Sequence, residues 1–188
     1  ALGGWLSPEE IGPMDIHEAA GAIDILCPDE ASALAAARRY LGYFKGRQGP
    51  REAAAQSLLR DIIPENPRRA YNVRRVIDGL SDTDSVLELR PKFGKAAVTS
   101  LARIDGWPVG MIANQPMVLA GAIDSDASDT IARFIQLCDA YDIPMLFLCD
   151  TPGLMVGPEI EKTALVRHSA RILTALANAT TPFMTVVL

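Results

Sequence analysis

An apolar run that ends in a turn rich in glycine and proline constrains the fold of this chain more than any other feature. Residues 145–149 are all apolar, which is typical of a strand covered on both faces, as in a parallel sheet. Asp-Thr-Pro-Gly at 150–153 ends the strand, and Pro158 suits the first turn of a helix. Ligands of open α/β sheets bind at the carboxyl ends of strands, and free amides there favour negative charge. The stretch 143–157 therefore predicts an anion or oxyanion site made of main chain.

The rest of the chain alternates between helical and extended patterns. Apolar periodicity and terminal charges predict helices over 28–44, 71–79, 125–142 and 158–177. Short apolar runs predict strands over 22–27, 86–89, 98–104, 109–113, 143–149 and 183–188, the last of them buried. The order strand, helix, strand, helix, strand after residue 109 predicts right-handed crossovers and a largely parallel sheet of the α/β class.

Local signals add detail to three of these elements. Gly79 is expected to end its helix as a C-cap. Asp105 and Gly106 lie between two apolar runs and predict a hairpin, whose loop Pro108 should lengthen beyond two residues. The third helix is expected to bury one stripe, formed by Ile131, Phe134, Ile135, Cys138 and Tyr141.

A polar segment divides the chain into two unequal parts. Residues 45–51 (Lys-Gly-Arg-Gln-Gly-Pro-Arg) are rich in turn formers. The boundary is placed between residues 48 and 49, which gives parts 1–48 and 49–188. We expect this segment to be a crossing between two halves rather than a free tether.

Composition narrows the classes of function. The 188 residues carry a net charge of −5, which disfavours nucleic acid as a partner because phosphate binding requires a basic face. No apolar run reaches the roughly 18 residues needed to cross a membrane, and no secretory signal is visible. The cysteines (Cys27, Cys138 and Cys149) lack metal or disulfide spacing, so buried reduced thiols in a cytosolic type of compartment are expected.

The titratable side chains do not form an evident catalytic set. His168 would be the candidate general base, but the sequence around it offers no serine nucleophile or acid partner, so a structural or surface role is favoured for it and for His17. The acidic cluster of Asp124, Asp126 and Asp129 is explained by the charge preference of a helix N-terminus. An arginine cluster could contact a phosphate-bearing ligand, another subunit or only solvent; it comprises Arg68, Arg69, Arg74 and Arg75.

Glycines at strand ends and turns are more informative than these side chains. They are Gly106, Gly110, Gly121, Gly153 and Gly157. Main-chain donors suit the stabilisation of a developing oxyanion. A nucleotide-binding interpretation of the Asp150 turn, as a GTPase switch, would require a Gly-x4-Gly-Lys-Ser/Thr loop upstream, and the sequence has none.

An ordered set of motifs resembles one family. The set in the second part of the chain is Tyr71–Asn72, Pro91–Gly94, Ala102–Gly106, Val109–Pro116, Gly121–Asp124, Ala132–Ala140, Ile143–Pro144 and Asp150–Gly153. The set in the first part is Leu6–Gly12, Asp15–His17, Gly21 and Asp29–Glu30. Together they resemble the carboxyltransferase (β) component of biotin-dependent acyl-CoA carboxylases of the propionyl-CoA and long-chain type. Gly157–His168 is most similar to the single-chain or long-chain branch.

The resemblance implies a fold, a reaction and partners. The fold is crotonase-like, with incomplete copies of two ββα-superhelix halves: 1–48 ends the N-terminal half, which binds acyl-CoA, and 49–188 starts the C-terminal half, which binds carboxybiotin. The reaction moves a carboxyl group from carboxybiotin to the α-carbon of an acyl-CoA, through enolates held by backbone amides. The implied partners are biotin carboxylase, a biotin carrier protein and further copies of the chain in a hexamer. The compartment would be the cytoplasm, or the mitochondrial matrix in a eukaryote.

The resemblance also assigns candidate site residues. Gly153, Leu154, Val156 and Gly157 match the Pro-Gly-Phe-x-x-Gly turn beside the biotin site, with backbone amides as catalytic groups and Gly153 and Gly157 on the carboxybiotin side. Leu154 replaces the usual Phe, which keeps the amide and changes the pocket wall.

The glycine-rich turns that complete the biotin and acyl-CoA oxyanion holes of the family would follow Leu188 and precede Ala1. We therefore expect a fragment without activity of its own. The alternative is a non-catalytic piece that serves assembly. The acyl chain length, and whether the biotin carrier shares the polypeptide, are left open by the sequence.

Overall fold

The fold is an α/β arrangement around one sheet. The structure, a computed structural model, describes residues 7–49, 52–66 and 69–188, so Arg68 and the end of the 45–51 segment lie outside it. The helices are α1 Pro8–Ile11, α2 Met14–Ala19, α3 Glu30–Gly42, α4 Arg74–Leu80, α5 Ser125–Ala140, α6 Pro158–Glu161 and α7 Leu165–Asn178. The strands are β1 Leu87–Leu89, β2 Ala97–Ile104, β3 Trp107–Asn114, β4 Met145–Cys149 and β5 Phe183–Val187.

The sheet has five strands in the order β1-β2-β3-β4-β5. The pairs β1/β2 and β2/β3 are antiparallel, whereas β3/β4 and β4/β5 are parallel. The parallel pairing predicted for the strands after residue 109 is confirmed in β3, β4 and β5, but β1 and β2 add two antiparallel pairs, so the sheet as a whole is mixed rather than largely parallel. The carboxyl ends of β3, β4 and β5 nevertheless lie at one edge, as the sequence predicted.

Strand β4 is covered on both faces, which confirms the prediction from its apolar sequence. Met145 packs in the core on the side of α5, together with Phe134 and Ile135. Leu146 and Leu148 pack in the core on the side of α4, together with Val76 and Ile77. The alternating directions of strand side chains place the two sets on opposite faces. Four residues of the predicted α5 stripe are buried. The fifth, Tyr141, follows the last residue of the helix and is 55% exposed.

The hairpin loop contains two residues rather than more. Ile104 pairs directly with Trp107, and the turn residues Asp105 and Gly106 have φ angles of 49° and 76°. Both backbone N–H groups of the turn donate to the Asp82 carboxylate, at 2.9 and 2.7 Å. Pro108 lies inside β3 and does not lengthen the loop, because the turn is fixed by a carboxylate that is distant in sequence.

Three further predictions were wrong, each for a reason that the contacts or torsions show. Residues 22–27 form no strand; Asp24 there pairs with Arg90 at 2.7 Å. Gly79 is buried inside α4, where an added Cβ would lie 2.6 Å from Leu59, and Ser81 is the C-cap. The helix predicted over 158–177 is broken into α6 and α7 at Ala164, which has a φ of 57°.

Strand β5 is exposed along its whole length rather than buried. Within the described residues, β5 is the edge strand of the sheet and pairs with β4. Its most exposed apolar side chains are those of Met184, 63%, and Val187, 80%. The helix predicted over 28–44 is confirmed: the Asp29 carboxylate caps α3 by accepting from Ser32 N–H at 2.7 Å. A turn of 3₁₀ helix, Tyr43–Lys45, completes it.

The segment after α3 is attached to the hairpin. The buried Arg103 side chain donates to the carbonyl groups of Gly42, Gly46 and Gly106, at 2.8, 3.1 and 2.5 Å. Gln48 N–H donates to Gly106 O at 3.1 Å. These contacts agree with a crossing rather than a free tether at this position.

Replacing Gly110 by alanine is expected to lower the free energy of unfolding by about 1–3 kcal/mol, the usual cost of overpacking a core. The new Cβ would lie 2.4 Å from Cys138 Sγ and 3.2 Å from the Phe134 ring, where β3 meets α5. Chemical denaturation measures the loss. Gly49→Ala is the control, since no atom of the described residues lies within 4 Å of its added Cβ; an equal effect of the two substitutions would contradict the packing explanation.

Candidate active site

The candidate site is the turn that follows β4 at the carboxyl edge of the sheet. The strand ends contribute Asn114 from β3 and Asp150 after β4, and Leu188 N–H donates to Cys149 O at 3.0 Å beside them. Gly153 and Gly157 have φ angles of 121° and 132°, which only glycine adopts readily. Open space surrounds the position of an added Cβ at both glycines. The backbone conformation, and not crowding, therefore explains glycine at these positions.

One amide of the turn is used within the turn itself. Gly153 N–H donates to Thr151 Oγ1 at 3.0 Å. This bond is a local side-chain turn of the kind that serine and threonine form. The Gly153 amide is therefore not available to a ligand in this conformation, and the sequence pattern gave no indication of this.

A short parallel bridge to Ile123 fixes the direction of the next residues. Ile123 N–H donates to Gly153 O at 3.0 Å, and Met155 N–H donates to Ile123 O at 2.9 Å. In such a bridge the intervening residue, Leu154, directs its own N–H and C=O away from Ile123. The Leu154 side chain is 47% exposed.

Three of the four candidate positions retain free donors. Among the residues that the structure describes, the N–H groups of Leu154, Val156 and Gly157 have no hydrogen-bond partner. Val156 is 79% exposed, and Gly157 precedes α6. The turn therefore presents backbone donors on its open side, and these donors can hold an oxygen that gains negative charge.

The Asn114 side chain connects the strand ends to a neighbouring turn. Its Oδ1 accepts from Asp150 N–H at 3.2 Å, and its Nδ2 donates to Gly121 O at 3.2 Å. Asn114 is 7% exposed. Gly121 approaches Asp150 so closely that an added Cβ would lie 2.3 Å from the Asp150 carbonyl oxygen.

A cleft of about 310 Å³ opens at the same edge. It is lined by Tyr71, Pro116, Ala120, Asp150 and Leu188 among others. Tyr71 OH donates to Asp150 Oδ2 at 2.8 Å. Burial, together with this hydrogen bond and the Asp150 charge, raises the pKa of Tyr71, so its hydroxyl stays protonated and remains a donor.

The roles of Tyr71, Asn114 and Asp150 in this arrangement were not predicted from the sequence. The one available signal was Asn114-Gln115, a polar pair directly after the apolar run of β3. Gln115 is also buried, at 2% exposure. Buried polar side chains at a strand end must find hydrogen-bond partners, but the sequence does not tell which partners these are.

The two histidines lie away from the turn. His168 Nδ1 lies 2.8 Å from Asp129 Oδ2, and Arg171 donates to the other oxygen of this carboxylate at 2.7 Å. This contact joins α7 to α5 and supplies the acid partner that the local sequence lacked. His17 is exposed on α2.

The acidic cluster serves the start of α5. Asp124 caps the helix by accepting from Ala127 N–H at 2.8 Å, as the charge preference of a helix N-terminus predicts. Burial, with the nearby Asp124 and Asp129 charges, raises the pKa of Asp126. Within the described parts of the chain, no group of three or more His, Cys, Asp or Glu side chains has metal-binding geometry.

The arginine cluster is divided among different environments. Arg74 forms a two-point ion pair with Glu88, at 2.7 and 2.6 Å. Arg69 lines the cleft, and Arg75 is exposed on α4. Over the ranges that the structure describes, no helix is both long enough and apolar enough to cross a lipid bilayer.

The fold and the turn define an α/β domain with a main-chain donor site, and comparison with known proteins gives its family. Residues 1–188 match the carboxyl transferase domain model. The chain is 36% identical to an uncharacterized carboxylase of Bacillus subtilis (strain 168), over 99% of this chain and 38% of the relative. It is 33% identical to the propionyl-CoA carboxylase beta chain of Roseobacter denitrificans, over 97% of this chain and 38% of the relative.

Comparison with solved structures gives the same kind of protein. A single-chain, multi-domain long-chain acyl-CoA carboxylase superposes with a TM-score of 0.95 at 41% identity, over 98% of this chain and 18% of that one. The transcarboxylase 12S structure with methylmalonyl-CoA and methylmalonic acid bound gives a TM-score of 0.90 at 33% identity, over 98% of this chain and 38% of that one.

The chain belongs to the carboxyl transferase domain family, and its fold is the crotonase-like fold of the carboxyltransferases. The resemblance found in the sequence is confirmed. The chain spans a little over a third of the length of the curated relatives it matches, 38% in both cases above.

Proposed function

We propose that this chain is part of the carboxyltransferase of a biotin-dependent acyl-CoA carboxylase. The observation that carries the proposal is the set of free amides at Leu154, Val156 and Gly157, at a strand end of a carboxyl transferase fold. Carboxybiotin on a biotin carrier supplies the carboxyl group, and an acyl-CoA receives it on its α-carbon.

In this proposal the turn binds an oxygen that becomes negatively charged during transfer. A preformed backbone donor is already oriented when the charge develops, so no reorganisation is needed at that moment. The side chains at the turn fit a role limited to binding and orientation. Leu154 offers an apolar wall, and the glycines leave space for a ring beside the amides.

The resemblance and the relatives support the finer assignments. Residues 1–48 would end the half that binds acyl-CoA, and residues 49–188 would start the half that binds carboxybiotin. Biotin carboxylase and the biotin carrier would be partners. The 12S relative is described as a hexamer assembly in a multienzyme core, and we propose the same type of assembly for the intact protein.

The test uses the full-length polypeptide that contains these residues. Purified with its carrier and carboxylase components, it should transfer labelled carboxyl groups to propionyl-CoA or to a longer acyl-CoA. A full-length protein that folds and assembles but labels no acyl-CoA would exclude the proposal. That result would favour the alternative, a non-catalytic assembly role.

The isolated 188 residues are expected to transfer no carboxyl group above the rate without enzyme. The reason is that an oxyanion site shared between several turns is incomplete when only one of them is present. The reverse reaction, transfer of the carboxyl group of methylmalonyl-CoA or malonyl-CoA to free biotin with formation of carboxybiotin and the decarboxylated acyl-CoA, is a sensitive assay for this. Turnover by the isolated chain at a rate comparable to that of the full-length protein would contradict the expectation.

A further inference from the structure

The Asn114 side chain links the two backbone segments that determine where the free amides of the turn lie. It accepts from Asp150 N–H and donates to Gly121 O, both at 3.2 Å. Asp150 begins the turn that carries Leu154. Gly121 begins the segment that leads to Ile123, the bridge partner of Leu154.

These contacts close a ring. From Asn114 the ring runs through Gly121 to Ile123, crosses the bridge to Leu154, and returns along the turn through Asp150 to the Asn114 oxygen. All other links of the ring are backbone, so Asn114 provides its only side-chain link. The bridge directs the Leu154 N–H outward, and Asn114 ties together the two segments that form this bridge.

The Gly121 segment holds strain that needs such a restraint. Leu119 and Ala120 have φ angles of 50° and 51°, and Gly121 follows with 77°. The left-handed conformation is unfavourable for residues that have a Cβ. Strained residues persist where surrounding contacts hold them, and they concentrate at functional sites. The Asn114–Gly121 hydrogen bond is one such contact.

We infer that Asn114 is a positioning residue of the carboxyl transfer site: its side-chain amide sets the position of the Leu154 amide through Asp150 and Gly121. The inference rests on the proposed function. Asn114 does not itself contact the reacting groups. A shift of about 1 Å in a reacting geometry can cost about 100-fold in rate, so loss of this link reduces turnover more than it reduces binding of acyl-CoA.

Two substitutions in the full-length enzyme test the inference. Asn114→Asp keeps the size and an acceptor for Asp150 N–H but offers Gly121 O no donor when ionised; Asn114→Leu removes both hydrogen bonds. We expect kcat to fall about 10- to 100-fold in both variants, with KM for acyl-CoA changed less than about threefold. Asn178→Leu is the matched control, since it makes the same chemical change at an exposed site on α7, and its kcat should equal that of the wild type.

Each outcome of this experiment either supports or overturns the inference. A folded Asn114→Asp enzyme with kcat within threefold of the wild type overturns the inference, and so does a loss confined to KM. If neither variant yields a folded assembly by gel filtration and circular dichroism, Asn114 is a structural residue and the inference also fails. A wild-type enzyme that transfers no carboxyl group would instead refute the proposed function, so the two failures are distinguishable.

Discussion

Replacing the Leu154 amide by an ester is expected to lower kcat of the full-length enzyme by about 10²–10³-fold, the usual cost of losing one oxyanion donor. The α-hydroxy analogue of leucine at position 154 removes the N–H and keeps the side chain. Leu154 is chosen because the bridge to Ile123 fixes the direction of this N–H, which has no partner among the described residues. The removed N–H donates to no described residue, so the loss of stability should be limited to a weaker bond from Ile123 N–H to Gly153 O, whose acceptor becomes an ester carbonyl. Single-turnover carboxyl transfer measures the effect.

The same replacement at Met155 is the matched comparison. Met155 N–H donates to Ile123 O at 2.9 Å, so its loss should lower stability by about 0.5–1.5 kcal/mol, the net value of a typical hydrogen bond. The rate loss should be smaller than at position 154. Equal rates for the wild type and the Leu154 ester, in a folded enzyme, would show that this amide does not act in catalysis.

Replacing Gly121 by alanine is expected to be the most destabilising single change near the site, at about 2–5 kcal/mol, and to abolish transfer. The new Cβ would lie 2.3 Å from the Asp150 carbonyl oxygen, and Gly121 has a φ of +77°. The left-handed conformation costs alanine about 1–2 kcal/mol, and overpacking adds about 1–3 kcal/mol. Since the obstacle is backbone, the turn itself must move. Denaturant unfolding and turnover together measure the result.

Gly46→Ala separates the two contributions. Gly46 has a φ of +71° and a ψ of −155°, a conformation that glycine adopts far more readily than alanine, and no atom of the described residues lies within 4 Å of its added Cβ. Its substitution should cost conformational energy without a clash, and it should leave the turn after β4 in place. If Gly46→Ala were as destabilising as Gly121→Ala, the close approach to Asp150 would not be the main cause.

The parts of the fold that follow from local pattern were predicted well. The apolar run of β4, the periodicity of α5 and the acidic cap of α3 depend on neighbours within a few residues. Predictions failed where a contact with a residue distant in the sequence determines the local structure. The Asp82 carboxylate fixes the two-residue turn at Asp105, and Asp24, where a strand was predicted, pairs with Arg90.

The exposure of β5 could not be predicted from its sequence for a similar reason. Its apolar residues fit a strand buried on both faces, and pairing with β4 is confirmed residue by residue from Phe183 to Val187. Burial depends on which other elements cover a strand, and hydrophobic sequence alone does not specify them. The described chain places β4 on one side of β5.

The sequence by itself determined that a strand buried on both faces ends in a turn with Gly153 and Gly157, because apolar runs and glycine requirements are local properties. It also determined the family, through the order of its motifs. Only the tertiary structure decided which amides of that turn are free. The Thr151 hydroxyl accepts a hydrogen bond from the Gly153 N–H. The Ile123 carbonyl, about thirty residues earlier, accepts from the Met155 N–H, and this bridge directs the Leu154 N–H outward. The direction of an N–H depends on backbone torsions and on partners distant in the chain.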